Sequence, residues 1–249
     1  MDRLIYTAMN GAQRTLEQQD VITNNLANLS TSGFREQLAY YRSVPVVSDI
    51  GSQTRVATAT VSPGSRFQPG AMTETGHALD VAIAGEGWFA VRTPGGDEAY
   101  TRAGDLAVNA QNQLVTQSGL PVLSVDGQPI EVPDRGTVTF SGDGRLTALG
   151  AGDNPRDIQM VGQLKLVNPP VAELVRGQDG LFRQANGAPA QADPAVRMVA
   201  GFIEKSNVNP AEAMVAMIAN SRRFETQMKI IQDAGAREDR ANTILSFNG

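Results

Sequence analysis

The side chains with a capacity for catalysis are few, and their spacing does not bring them together. His77 is the single histidine and cysteine is absent, which removes a two-imidazole metal site, a thiolate nucleophile and any disulfide within the chain. Asp80, Asp97, Glu98 and Asp105 are the carboxylates that could pair for general acid–base hydrolysis, but nothing in their spacing sets the mutual distance that glycoside hydrolysis requires. Asp143 lies in a turn between Gly142 and Gly144 and lacks the series of oxygen ligands of a calcium loop. Gly85, Gly87 and Ala90 satisfy the spacing G-x-G-x-x-A of a dinucleotide-binding turn, which must open a helix whose N-terminus meets the pyrophosphate. Here Trp88, Phe89, Ala90 and Val91 continue as strand, so a tight hairpin between two strands is expected instead. No catalytic set, cofactor site or metal site emerges, and the reading is that the chain is not an enzyme.

The information lies in the elements at the two ends. Met214, Met217, Ser221, Phe224, Met228, Ile231, Gly235, Glu238, Asn242 and Leu245 follow an alternating three-four spacing that lines up one helix face. Asn209 suits the N-cap, Pro210 the first helical position, and Glu212 can reach back to complete a capping box. A helix from there to Leu245 is roughly 50 Å long at 1.5 Å per residue. Residues 2–29 carry a second pattern, with Ile5, Met9, Ala12, Leu16, Ile22, Leu26 and Leu29 mostly three or four apart. Gln18, Gln19, Thr23, Asn24 and Asn25 thin that face, so this helix needs a partner to be stable in water. Each terminal helix is the expected partner of the other, with further copies of the chain covering what remains apolar. Gly33, after Ser30, Thr31 and Ser32, suits a left-handed turn position.

Between the helices the signal changes twice. Residues 34–72 read as an extended linker with short strands, punctuated by Pro45, Pro63, Gly64 and Pro69. Residues 73–206 hold about ten short strands with no helical pattern between them, separated by turns such as Pro94-Gly95-Gly96 and Asp126-Gly127, which predicts an antiparallel barrel or sandwich. The expected fold is therefore α+β: helices in 1–33 and 207–249 pairing as a coiled coil, a linker over 34–72, and a central all-β domain over 73–206. The formal charge of −5, from 21 basic and 26 acidic residues, offers no general attraction for nucleic acid or anionic membrane. The longest apolar run, residues 213–219, is too short to span a bilayer, and no signal-peptide core with a cleavage site is expected at the N-terminus.

Three segments together resemble the axial proteins of the bacterial flagellum, the family of its rod and hook. Asn24, Asn25, Leu26, Ala27, Asn28, Leu29, Ser30, Thr31, Ser32, Gly33, Phe34 and Arg35 form the first. Leu79 to Ile83, Gly87-Trp88-Phe89 and Tyr100 to Gly104 form the second, and Ser206 to Pro210 followed by Arg223-Phe224-Glu225 the third. Within the family the opening residues 1–9, Gly87-Trp88-Phe89 and Gly180 to Arg183 resemble the proximal rod more than the distal rod or the hook, which stand as the alternatives. The resemblance implies a structural subunit that carries motor torque across the periplasm to the hook. It implies as partners other rod proteins and copies of the chain itself, with export through the flagellar type III apparatus without a cleavable leader. It also implies no cofactor, no nucleic acid and no membrane insertion. Two other classes remain open on the residues alone. A secreted enzyme on the β domain would need a cleft with converging carboxylates. A glycan-binding module would need an aromatic platform, for which Trp88 and four Tyr are few.

Overall fold

A computed structural model describes residues 2–45, 56–133, 137–149 and 158–246. The chain divides into two units, each discontinuous in sequence. One gathers Met1–Ala27, Gln37–Arg66 and Val208–Gly249; the other consists of Asn28–Glu36 and Phe67–Asn207.

The helical unit holds α1 (Asp2–Ala27), β1 (Gln37–Pro45), β2 (Val56–Ser65) and α2 (Pro210–Ser246). The 37 residues of α2 extend over roughly 55 Å at 1.5 Å per residue. The helices pack antiparallel: the Asn220 side-chain amide donates to Thr15 O and to Gln19 Oε1, each at 2.8 Å, while Gln227, further along α2, meets Gly11, earlier in α1. On α1 the buried side chains are Ala8, Ala12, Thr15, Ile22 and Asn25. On α2 the side turned inward follows Ala213, Met217, Asn220, Phe224, Gln227, Ile231 and Ala234, a four-three alternation in which small and polar residues outnumber large apolar ones. This row is displaced by one position from much of the stripe expected from sequence, because Met214, Ser221 and Met228 lie on the exposed side. Close approach explains the choice. A Cβ on Gly11 would sit 2.9 Å from Gln227 Cδ, a spacing that suits the alanine, glycine and asparagine row better than the methionine row.

The linker is more regular than its sequence suggests. β1 and β2 pair antiparallel from Gln37↔Ser65 to Pro45↔Val56, with a bulge between Leu38 and Tyr40; residues 46–55 lie outside the described residues. Asn25, buried near the end of α1, anchors the start of β1, donating from Nδ2 to Gln37 O at 2.9 Å and accepting from Gln37 N at 2.8 Å.

Among the described residues the β unit contains no closed barrel. Its largest sheet is antiparallel, in the order Leu166–Val167, Trp88–Arg92, Glu98–Thr101, Phe182–Gln184, Leu174–Arg176. A second sheet runs Gln159–Gln163, Arg145–Leu149, Thr137–Phe140, and three two-stranded ribbons complete the unit. Strands of two to five residues, interrupted by turns and by isolated bridges such as Val91↔Val122 and Leu123↔Pro129, are too short to tilt and close a continuous wall. The Gly85 to Gly87 turn is not a hairpin either. It joins Val81–Ala84, which pairs with Arg197–Ala200, to Trp88–Arg92, which pairs with Glu98–Thr101 and Leu166–Val167. The dinucleotide fingerprint fails because the glycines lead into a buried strand. Two apolar clusters form the core, one around Val81, Phe89, Leu114, Val122, Leu146 and Leu164, the other around Trp88, Tyr100, Leu123, Val167 and Phe182.

Gly235 lies inside α2, and beyond its own helix backbone no described atom lies within 4 Å of the position its Cβ would take. Gly235→Ala is expected to stabilise α2 by roughly 0.5–1 kcal/mol, seen as a higher thermal midpoint of the helical circular dichroism signal. A lower midpoint would mean that this position is packed in a way the monomer does not reveal.

Candidate functional site

The segment Asn28–Glu36 turns away from helical structure and joins the β unit. Thr31 N donates to Asn28 O and Phe34 N to Thr31 O, both at 3.3 Å, and the Thr31 hydroxyl donates to Asn28 Oδ1 at 3.0 Å. Gly33 then adopts φ +66°, and its backbone lies so close to Arg102 that a Cβ there would be 2.2 Å from the Arg102 carbonyl carbon. Its N–H donates to Glu204 O at 2.7 Å. Asn207 closes the same junction from the other end of the chain: its N–H donates to Phe34 O at 3.2 Å, its Oδ1 accepts from Glu36 N at 2.6 Å, and its Nδ2 donates to Gln68 O at 2.8 Å. Three stretches distant in sequence, 28–36, 67–71 and 204–207, are thus laced together, with Lys205 N donating to Ala71 O at 2.9 Å.

Glu204 lies at the centre of this collar and is only 1% exposed. One carboxylate oxygen accepts from Arg35 Nη1 and from Gly70 N at 2.8 Å, the other from Arg102 Nη1 at 3.0 Å. Arg35 also donates to Gln68 O at 3.1 Å and Arg102 to Ile83 O at 3.3 Å. The two guanidinium carbons lie 5.7 and 5.5 Å from the Trp88 ring centroid, within cation–π range. Two guanidiniums share the Glu204 carboxylate, with Glu86 acting on Arg102 as a further anion, and Arg35 Nε, Arg35 Nη2 and Arg102 Nε have no hydrogen-bond partner. Burial lowers the pKa of Arg102 to about 10, an effect that Glu204 opposes; the group stays charged at neutral pH. Around the rim, Arg176 donates to Arg35 O at 2.6 Å and lies 4.6 Å from the Phe34 ring centroid. Phe34 is therefore gripped by a cation, and the peptide carbonyl beside it is bonded to the same side chain.

The remaining residues singled out from sequence fall into three sets. Asn209 caps α2, its Oδ1 accepting from Ala211 N at 3.0 Å and Glu212 N at 3.4 Å, and Pro210 is the first helical residue. The reciprocal half of the box differs from expectation, because Glu212 Oε1 accepts from the Asn209 side-chain amide at 3.2 Å. Ala12 and Ile22 are buried, while Ile5, Leu26, Leu29, Met217, Phe224 and Ile231 are half-buried. Leu29 lies beyond the end of α1. Met9, Leu16, Met214 and Met228 are exposed, and the side chain of Leu245 lies outside the described residues. Sequence reading missed Glu204 and Asn220, and it quoted Arg35 and Arg102 without assigning them a role. Asn220 had a signal: it lies three residues after Met217 and four before Phe224, on one of the two three-four rows that pass through those residues. Buried charges of the collar had none, since burial of a charge leaves no periodicity.

His77 is an exposed loop residue. Glu98 pairs with Lys165 at 2.7 Å. An open cleft of about 440 Å³ is lined by Val125, Asp143, Arg145, Asp193, Pro194 and Arg197 among others. Its two carboxylates are held by their own neighbours, Asp143 by Arg145 at 3.1 Å and Asp193 by Ala195 N at 2.8 Å. Among the described residues no group of His, Asp and Glu is placed to hold a metal ion, and no helix is long and apolar enough to cross a membrane.

The collar ties residues from both ends of the chain into the β unit, and comparison with known proteins gives the class, an axial structural protein of the flagellum. The family model described as "Flagella basal body rod protein" matches residues 5–35, "Flagellar hook protein FlgE/F/G D1 domain" matches 82–148, and "Flagellar basal body rod FlgEFG protein C-terminal" matches 199–244. The flagellar basal-body rod protein FlgF of Salmonella typhimurium is 46% identical, and that of Escherichia coli 45%, each aligned over 100% of both chains. The FlgG rod protein of Buchnera aphidicola is 31% identical over 85% of this chain and 88% of its own length. The chain belongs to the flagellar rod and hook family, within its FlgF group of basal-body rod proteins. It is a structural subunit of the flagellar basal-body rod.

Gly33→Ala is expected to destabilise the β unit by more than about 1 kcal/mol, since it combines a positive φ with a backbone clash; the midpoint of denaturant unfolding followed by Trp88 fluorescence checks this. Asp105 supplies a pH test. Its carboxyl pKa is raised, first by burial and further by Asp80, against a hydrogen bond from Ser32, and its Oδ1 has no partner. A raised carboxyl pKa favours the folded state only while protonated, so the cost of ionisation is absent below the unfolded value of about 3.9. That cost is complete once pH exceeds the raised folded value. Asp105→Asn should therefore raise the melting temperature at pH near 7 and lose this advantage at acid pH, measured as melting temperature against pH.

Proposed function

We propose that this subunit stiffens the rod and carries motor torque through helix faces that the isolated chain leaves apolar and exposed. The observation that carries the proposal is a single row. On each helix the positions immediately after the inward row are exposed and include large apolar side chains: Tyr6, Met9 and Leu16 on α1, Met214, Ile218 and Met228 on α2. In an antiparallel right-handed pair, stepping one residue forward from the seam turns each helix towards the same side, because the reversed direction of one reverses its apparent rotation. The six side chains thus share one face of the pair. Covering a large apolar side chain contributes on the order of 1.5–3 kcal/mol. A contiguous exposed patch of this kind marks an interaction surface.

Copies of this chain and neighbouring rod proteins are the partners that such a face fits. Head-to-tail packing of one face against a different face of the next subunit does not close on itself and so builds a shaft. The seam of α1 and α2, with its heptad register and buried Asn220, is read as a coiled-coil element whose polar position fixes alignment. Passage through the flagellar type III export apparatus, without removal of a leader, is the route consistent with the membership of the chain and with a seam weak enough to part. The torque path runs across the periplasm to the hook.

Ile218→Glu and Leu16→Glu are expected to leave the circular dichroism of the purified chain unchanged, since both positions are more than half exposed in the monomer. Both should abolish rod completion and swimming. Normal motility in the double variant would rule out this face as the assembly surface.

A further inference from the structure

We propose that Arg35, Glu204 and Arg102 form a latch that makes closure of the β unit conditional on the strap Asn28–Glu36, so that the unit has a distinct open form when this strap is held elsewhere. The body of the unit, Phe67–Asn207, is continuous, and the strap joins it from a separate part of the chain. Its attachment is chiefly polar. Gly33 N bonds Glu204 O, Asn207 N bonds Phe34 O, Glu36 N bonds Asn207 Oδ1, and Arg35 reaches Glu204 and Gln68. Its large apolar side chains, Leu29 and Phe34, are only half-buried.

Charge makes the two forms separable. With the strap removed, Glu204 keeps Arg102 and Gly70 N, a neutral ion pair with its hydrogen bonds made. Docking the strap adds a second guanidinium, fully buried and with two of its nitrogens unpartnered. A buried carboxylate stripped of every cation is costly, whereas one that retains its first partner is not. The open form is therefore a stable alternative, and closure depends on Arg35 finding Glu204, Gln68 and the face of Trp88 together. Opening withdraws Arg35 from Trp88, the single tryptophan of the chain, which provides a direct reporter. A chain whose residues 28–36 are kept extended, during passage through a channel or by a binding partner, would carry its β unit open until the strap is released.

The test is native-state hydrogen exchange on the full-length chain, with acrylamide quenching of Trp88. In the wild type the amides of Gly33 and Asn207 should exchange through an opening that leaves Phe89 and Val122 protected. Arg35→Met should speed exchange at Gly33 and Asn207 by about tenfold or more, leave Phe89 and Val122 nearly unchanged, and increase Trp88 quenching. Arg35→Lys, which keeps the charge but loses the fork, should fall between, and it carries the test if the methionine variant does not fold. Strap and core amides exchanging together in the wild type, or variants that speed all of them equally or none, would overturn the latch.

Discussion

A single carboxylate, Glu204, sits where three distant parts of the chain must meet, and its burial constrains the β unit. Taking a carboxylate out of water is tolerable only with excellent compensation, which Arg102 and Gly70 N supply from the body of the unit and Arg35 adds from the strap. That requirement explains the glycines around it. Gly70 would place a Cβ 1.9 Å from Lys205 O, and Gly33 would meet the Arg102 backbone. It also explains why Asn207 serves three bonds on its own, to Phe34, Glu36 and Gln68. The residues that mark the family at either end are here the lacing of one collar.

The helical unit follows a different logic. Its seam is built from alanine, glycine, asparagine and glutamine as much as from large apolar residues, and Asn220 satisfies its amide on Thr15 and Gln19 while its Oδ1 has no partner. Such a seam gives alignment more than stability. The large apolar side chains are instead displayed along the adjacent row, from Tyr6 to Leu16 and from Met214 to Met228. A protein meant to remain monomeric would carry the reverse arrangement, large residues inside and small or polar ones outside. The distribution fits the assembly role proposed for these faces, in keeping with the full-length similarity to FlgF rod proteins.

Much of this was legible from residue order. The two helices, the Asn209 cap and the strand-rich centre rest on local periodicity and turn chemistry, which act over a few residues and are written directly in the chain. The family segments were legible for the same reason, each being short and contiguous. Of the barrel or sandwich expected for the strand-rich centre, a closed barrel is not formed among the described residues, because closure depends on strand length and tilt across the whole sheet, and strands such as Leu166–Val167 are too brief to supply it. The Gly85 to Gly87 turn departs from the expected hairpin because its flanking strands choose other partners, Arg197–Ala200 and Glu98–Thr101.

Residue order thus carried the class of protein, the element types and the capped C-terminal helix. Which helical row turns inward is settled in three dimensions, since periodicity accommodates Met214, Ser221 and Met228 as readily as Ala213, Asn220 and Gln227, and the close approach of Gly11 to Gln227 selects between them. The fold alone revealed the collar, in which Arg35 and Glu204 are 169 residues apart. A buried ion cluster depends on desolvation and on geometry between remote segments, and neither leaves a local pattern for a reader of the chain to find.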